Sequence, residues 1–342
     1  MFPPRQYYVT TSRPETVPDG YRSLSVGEWH LVFDDSFDSV PVVVGDDRVG
    51  HVVGTVLDVR NRLEDGQLRL DEGDSLPAAF RDALFEFAGP YLGLVDADPP
   101  SVYTDPIGGC PVVYDAAEGV LGATPAALPG VDHGTRFRAG LFDQLNHDRS
   151  SVFLPGTETY YAGVERLLPN HRLNLRTWEA TRYWPDDPES MSSSDDAASV
   201  AEFIGTTLRE IFGEIAATYD RPVTPLTAGL DSRSLAASAR PWLVDGDVGT
   251  VTWDTGERVD VDMEIARRLA AGRDFDWTPV PVVRASEAER RRWLERTGHA
   301  VGGTIMDIHP TLEGFDADLH VNGFGGAIAR GKYWTASDDA DT

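Results

Sequence analysis

Through the first 184 residues the apolar positions come in short runs. Val40 to Val44, Val52 to Val59, Gln67 to Leu70, Tyr91 to Val95, Val102 to Thr104 and Val112 to Tyr114 are each broken off by Gly, Pro or Asp. This pattern predicts antiparallel strands in layers, with one helix, Pro77 to Phe87, among them. The stretch 185–199 is polar and turn-rich and reads as a linker. Beyond it the period changes. Val200, Phe203, Ile204, Leu208, Ile211, Phe212 and Ile215 recur at helical spacing, predicting one long amphipathic helix over roughly 196–219 with its apolar stripe in the core. Strand and helix candidates then alternate: strands Val223 to Thr227, Gly249 to Trp253 and Trp277 to Val283, and helices Arg233 to Arg240 and Asp260 to Ala271. Such alternation implies a parallel sheet whose ligands sit at the carboxyl ends of its strands. Ser286 and Glu289 form a capping-box pattern opening a basic helix through Arg296, which reads as a solvated face. The expected architecture is an α+β layered antiparallel domain over 1–184, the linker, and an α/β parallel-sheet domain over 200–342.

The stretch Pro222 to Arg233, Pro-Val-Thr-Pro-Leu-Thr-Ala-Gly-Leu-Asp-Ser-Arg, joins a strand to a helix through a small-residue turn. The first N–H groups of a helix lack intrahelical partners and point past the strand end, where a phosphate fits. Thr227 and Ser232 offer hydroxyls, Gly229 permits close backbone approach, and Asp231 can hold the metal ion that accompanies a nucleotide triphosphate.

Composition narrows the partners. Fifty-six acidic against 30 basic residues give a net charge of −26, and the acid is spread over both halves. No nucleic-acid partner is expected, and adaptation to a halophilic, salt-rich cytoplasm is the expected origin of the balance. Cys110 is the only cysteine, so no internal disulfide framework exists, and the eight histidines show no metal-ligand spacing. The N-terminal Met-Phe-Pro-Pro-Arg lacks a signal-peptide pattern and no apolar stretch has bilayer length, so the expected location is cytoplasmic, with no membrane contact.

Thr227-Ala-Gly-Leu-Asp-Ser232 resembles the Ser-Gly-Gly-x-Asp-Ser pyrophosphate loop of N-type ATP pyrophosphatases, and the trailing Leu-Asp-Ser-Arg is most similar to the asparagine synthetase branch. The first half carries further phrases of that family: Gly89 to Asp96, Tyr103 to Tyr114, Leu121 to Pro125, Phe153 to Gly156, Tyr161 to His171 and Arg182 to Trp184. Val251-Thr-Trp-Asp followed by Asp260 to Ala271 is similar to the family's second strand and helix. His320 to Trp334 is similar to its second glycine-rich loop.

The resemblance implies a glutamine amidotransferase-like domain ahead of an asparagine synthetase-like ATP-pyrophosphatase domain. The reaction it implies is ATP-dependent adenylation of a carboxylate, aspartate or a related one, with release of AMP and pyrophosphate and amide formation. ATP and Mg2+ are the implied cofactors. Asp231 would hold magnesium; Leu226, Thr227, Gly229, Leu230, Asp231, Ser232, Val251, Thr252, Trp253, Gly323, Phe324 and Gly325 would contact ATP; Asp231, Arg330 and Lys332 would be catalytic.

Four positions depart from the family, Phe2, Thr227, Ala228 and Ala327, of which Thr227 keeps the hydroxyl of the serine it replaces. Phe2 stands where the amidotransferase nucleophile, a cysteine, is expected, so the nitrogen would come from ammonia or another amine, and Cys110 reads as a packing residue. Ala228 replaces a loop glycine, which matters if that site needs a positive φ, and Ala327 replaces an acidic metal ligand. The resemblance also covers only the front of the family's second domain. An inactive or fragmentary homologue that binds nucleotide or a partner is the alternative, and a further chain or a homodimer is left open.

Overall fold

The computed structural model describes residues 5–73, 75–146, 154–185, 197–254, 256, 261–301 and 303–323. Phe2, Asp260, Phe324, Gly325, Ala327, Arg330 and Lys332 lie outside the described residues. The chain mixes helices with three sheets and divides into two compact units, Met1–Ser192 with Ala285–Asp307, and Ser193–Arg284 with Ile308–Thr342.

The first unit begins with β1 (Tyr7–Thr10), β2 (Tyr21–Val26), β3 (Trp29–Asp34), β4 (Asp38–Val44), β5 (Asp47–Gly54), β6 (Leu63–Glu64) and β7 (Gln67–Leu70). Helix α1 (Leu76–Leu84) follows, then β8 (Tyr91–Val95), β9 (Ser101–Thr104), β10 (Val112–Asp115) and β11 (Val120–Gly122). The short helices α2 (His133–Arg136) and α3 (Ala139–Asn146) precede β12 (Glu165–Leu167), β13 (His171–Asn174) and β14 (Ala180–Arg182).

These strands make a six-stranded antiparallel sheet, β12-β10-β11-β1-β3-β2, and an eight-stranded sheet, β14-β13-β9-β8-β5-β4-β7-β6, in which only β4 and β7 run parallel. Tyr7, Val9, Leu31 and Leu121 from the first and Val53, Leu92, Leu94 and Leu173 from the second share one buried cluster, so the two sheets face each other across it. On the other side of the second sheet, α1 buries Phe80 and Leu84 against Tyr91 and Tyr103. Gly93 on β8 makes room for Phe80, since a β-carbon there would come within 2.8 Å of its ring. Burying Phe80 fully contributes about 1.5–3 kcal/mol.

The second unit contains α4 (Ala197–Thr218), β15 (Pro222–Pro225), α5 (Leu230–Ser238), α6 (Arg240–Asp245), β16 (Gly249–Asp254), α7 (Val261–Ala271) and β17 (Trp277–Pro281). Helix α8 (Glu287–Arg296) belongs to the first unit; α9 (Gly303–Gly314) and β18 (Leu319–His320) complete the described chain. The third sheet is all parallel, in the order β17-β16-β15-β18. Its core is Val223, Val251 and Val280 with Trp253, Phe315 and Ala317 packed against them.

The expected core stripe of α4 is corrected in its first half. Phe212 and Ile215 are buried, but Phe203 and Ile204 are 65% and 52% exposed. Periodicity reports which residues share a helix face, and only packing decides how much of that face is covered. The run predicted as a strand over Val52 to Val59 stops at Gly54, where φ is +136°, a value that strand residues other than glycine do not take. The capping box at Ser286 is present, with Glu289 accepting from the Ser286 backbone and Ser286 accepting in return.

Candidate functional site

Strands β15, β16 and β17 are laid down side by side, and the chain then returns to place β18 on the other edge of β15. The order therefore reverses between β15 and β18. In an open parallel sheet this is where the loops leaving two neighbouring strands part and leave a crevice at their carboxyl ends. The stretch 226–232 leaves β15 at this point, and 321–323 leaves β18, with the Val321 N–H donating to Val223 O at 2.8 Å.

Leu226 continues the ladder, its N–H donating to Val251 O at 2.8 Å while its carbonyl accepts from Thr252 Oγ1 at 2.5 Å. The next three residues turn away, and each N–H finds a side-chain acceptor. Thr227 N–H donates to Ser232 Oγ at 3.2 Å, Ala228 N–H to Asp262 Oδ1 at 2.8 Å, and Gly229 N–H to Thr227 Oγ1 at 3.0 Å. The hydroxyls of Thr227 and Ser232 are 2.6 Å apart, closing the loop on itself. Ala228 is not among the residues of positive φ, so its methyl sits there without strain.

Helix α5 starts immediately after, with Gly229 at its N-cap. A glycine cap has no side chain to offer, and the first intrahelical bond in this turn is from Arg233 N–H to Gly229 O at 3.3 Å. The first amides of this helix thus have no acceptor within the helix itself, and the positive end of its dipole lies behind them. Asp231 lies in that first turn, Ser232 is buried and Leu230 is 57% exposed. Across the switch point, Gly323 backs directly onto Asp231: a β-carbon on Gly323 would stand 3.0 Å from Asp231 Cβ.

The other expected contacts are placed by β16. Val251 and Thr252 are buried within the sheet, Thr252 held between Leu226 O and the Trp277 Nε1–H, which donates to it at 2.9 Å. Trp253 packs on Phe315 and His320, with ring centroids 6.3 and 5.4 Å away. Burial holds His320 below the usual imidazole value, which leaves it neutral.

The two carboxylates at the start of α7 separate in role. Glu264 is taken by Arg267 and Arg268 on its own helix, whose hydrogen bonds hold it below the usual carboxylate range. Asp262 instead reaches the loop at Ala228, a contact that spacing along α7 does not reveal because its partner is 34 residues away. Among the described residues no three His, Cys, Asp or Glu side chains converge on a metal position. Asp231 in the first turn of α5 is of the chemistry that suits a hard divalent cation taking its remaining ligands from phosphate oxygens and water.

In the first unit Cys110 is buried, and burial beside Asp105 pushes its thiol up to about 12. It is therefore a neutral packing group at ordinary pH. Asp105 accepts from the N–H groups of Ile107, Gly109 and Cys110, which fixes the turn before β10.

Compared with known protein families, the chain matches no family model, and compared with curated proteins it has no match.

Proposed function

We propose that the second unit binds ATP at the β15/β18 switch point and adenylates a small carboxylate, aspartate or a related acid, for amide formation with ammonia or an amine. The observation that carries this reading is the convergence of three features: a glycine-capped helix start, an aspartate in its first turn, and a second glycine strand end against that aspartate. The finer fold reading belongs with it. The first unit is read as an amidotransferase-like (Ntn-hydrolase-like) domain and the second as an adenine nucleotide alpha hydrolase-like domain.

In this reading a carboxylate oxygen attacks the α-phosphorus of ATP, the bond from the α-phosphorus to the bridging oxygen breaks, and pyrophosphate leaves with the electron pair. The amine then attacks the acyl carbon and AMP departs. The α5 amides and the Ser232 hydroxyl take the phosphate oxygens, and their fixed positions spare reorganisation as charge moves onto pyrophosphate. Asp231 would hold magnesium, which when bound would neutralise part of the polyphosphate charge. Arg330 and Lys332 are proposed to face the same leaving group, and Trp253 marks the adenine side.

A second reading, nucleotide binding without turnover, draws on one feature of the loop. The Thr227, Ala228 and Gly229 amides already have acceptors within the chain. ATP–pyrophosphate exchange in molar KCl with magnesium, over a panel of small carboxylates, separates the two. Exchange that depends on one carboxylate supports adenylation, and ATP binding without exchange favours the binding protein. Absence of both would overturn the nucleotide assignment.

A further inference from the structure

The first unit contains a cavity of about 500 Å3, within the range of small-molecule sites. None of its lining residues belongs to the second unit, so it is separate from the loop described above. Its walls are mostly apolar: Val112, Val113, Ala123, Leu154, Leu167 and Val301. Between them are Gln6, Thr124 and Thr159, and these polar groups are already engaged. Thr124 Oγ1 donates to Gln6 Oε1 at 2.7 Å, and Thr159 Oγ1 donates to Val164 O at 2.6 Å.

Three charged side chains, Glu158, Arg166 and Arg296, stand on the lining, and none of them is without a partner. Arg166 donates to the carbonyls of Gly156 and Leu154, and Glu158 pairs with Arg138 at 2.6 Å. A charged ligand would leave water and have to compete with contacts these side chains already make, and that desolvation is costly. An uncharged one meets a surface that only excludes water.

One wall is a short ordered segment. Trp293 Nε1–H donates to Val301 O at 2.8 Å, closing 293–301 into a loop. His299 anchors it, 4.3 Å from the Phe137 ring and 5.0 Å from Phe142, with Tyr161 Oη 3.2 Å from its Nδ1. Gly298 lies so close to Pro125 that a β-carbon would come within 2.4 Å of the proline ring. Pinned at these points, the wall keeps the cavity from collapsing, and a preformed apolar cavity binds without a large ordering cost.

We propose that this cavity is a binding site for an uncharged, predominantly apolar small molecule. The probe is N-phenyl-1-naphthylamine, whose emission rises in apolar surroundings, titrated into the full chain in molar KCl. Saturable binding at one site per chain is expected. Ala300→Trp, at an exposed lining position, should weaken it at least tenfold. Phe203→Asp, on the exposed face of α4, should leave it unchanged. The anionic analogue 1-anilinonaphthalene-8-sulfonate should bind at least tenfold more weakly than the neutral probe. The proposal is overturned by non-saturable binding, by loss of binding in Phe203→Asp, or by unaltered binding in a folded Ala300→Trp. Equal affinity for the anionic probe would overturn the ligand class. If Ala300→Trp fails to fold, Thr297→Trp on the same wall provides the same comparison.

Discussion

Gly323 and Asp231, 92 positions apart in the chain, stand back to back where β15 and β18 part, so close that a side chain on the glycine would press on the aspartate. If Asp231 is the residue that meets magnesium, anything that moves it from this position acts on the ligand while sparing the core. Gly323→Val should lower ATP affinity at least about tenfold, roughly 1.4 kcal/mol, because the added β-carbon pushes on Asp231. Asp231→Ala should abolish exchange. Both should melt within a few degrees of the parent, measured by circular dichroism. ATP affinity unaltered in Gly323→Val would detach this strand end from the site.

Asp262 places a carboxylate on the Ala228 amide, so it both shapes the loop and adds negative charge beside it. Asp262→Ala leaves that amide to solvent and should cost about 0.5–1.5 kcal/mol in denaturant unfolding. Asp262→Asn keeps an acceptor and should cost less. It should also bind magnesium-free pyrophosphate more tightly than the parent, since one repulsive charge is gone. Weaker pyrophosphate binding in Asp262→Asn would mean that the charge itself supports the site.

Acid sensitivity is written into two histidines of the first unit. Burial, with Arg48 nearby, pushes His51 down to about 4, and burial does the same to His299. Both are neutral in the fold, whereas in the unfolded chain they take up protons below the ordinary value of 6.5. The unfolded state therefore binds more protons in this window. The stability they contribute is complete above pH 6.5, falls as pH drops toward 4, and changes no further below that. Unfolding midpoints at pH 7.5 and 5 should show the loss, and His51→Phe should flatten it. A flat profile in the parent would place both imidazoles in solvent.

A net charge of −26 predicts a protein that depends on screening. Lowering KCl from about 2 M to about 0.05 M lengthens the Debye length from under 3 Å to over 10 Å, and surface carboxylates that ignored one another then repel. The melting temperature should fall by more than about 10 °C, with sodium chloride restoring it as well as potassium chloride does. Indifference to salt would refer the acidity to a partner instead.

Much of the fold was legible along the chain because its signals are local. Gln67 to Leu70 and Tyr91 to Val95 form strands at the predicted residues, Ser286 caps its helix through Glu289, and Gly272 follows the last residue of α7. Each depends on alternation, a cap or a small residue acting within a few positions. The loop from Thr227 to Ser232 was legible for the same reason: it is the junction of one strand with one helix.

Other features had to wait for tertiary structure. The contact of Asp262 with Ala228, the backing of Gly323 onto Asp231 and the cavity walled by Trp293 to Val301 join residues between 34 and nearly 300 positions apart. No periodicity encodes such pairs, because they follow from how elements pack once formed. The same limit explains α4, whose spacing named the apolar face but not the length of it that is covered. By itself the sequence determined which segments become strands and helices and where one orphaned helix end meets a glycine turn, since backbone hydrogen bonding and side-chain volume act over short separations. Only the tertiary structure decided what stands opposite that end, because the reversal of strand order that brings β18 beside β15 is a property of the assembled sheet.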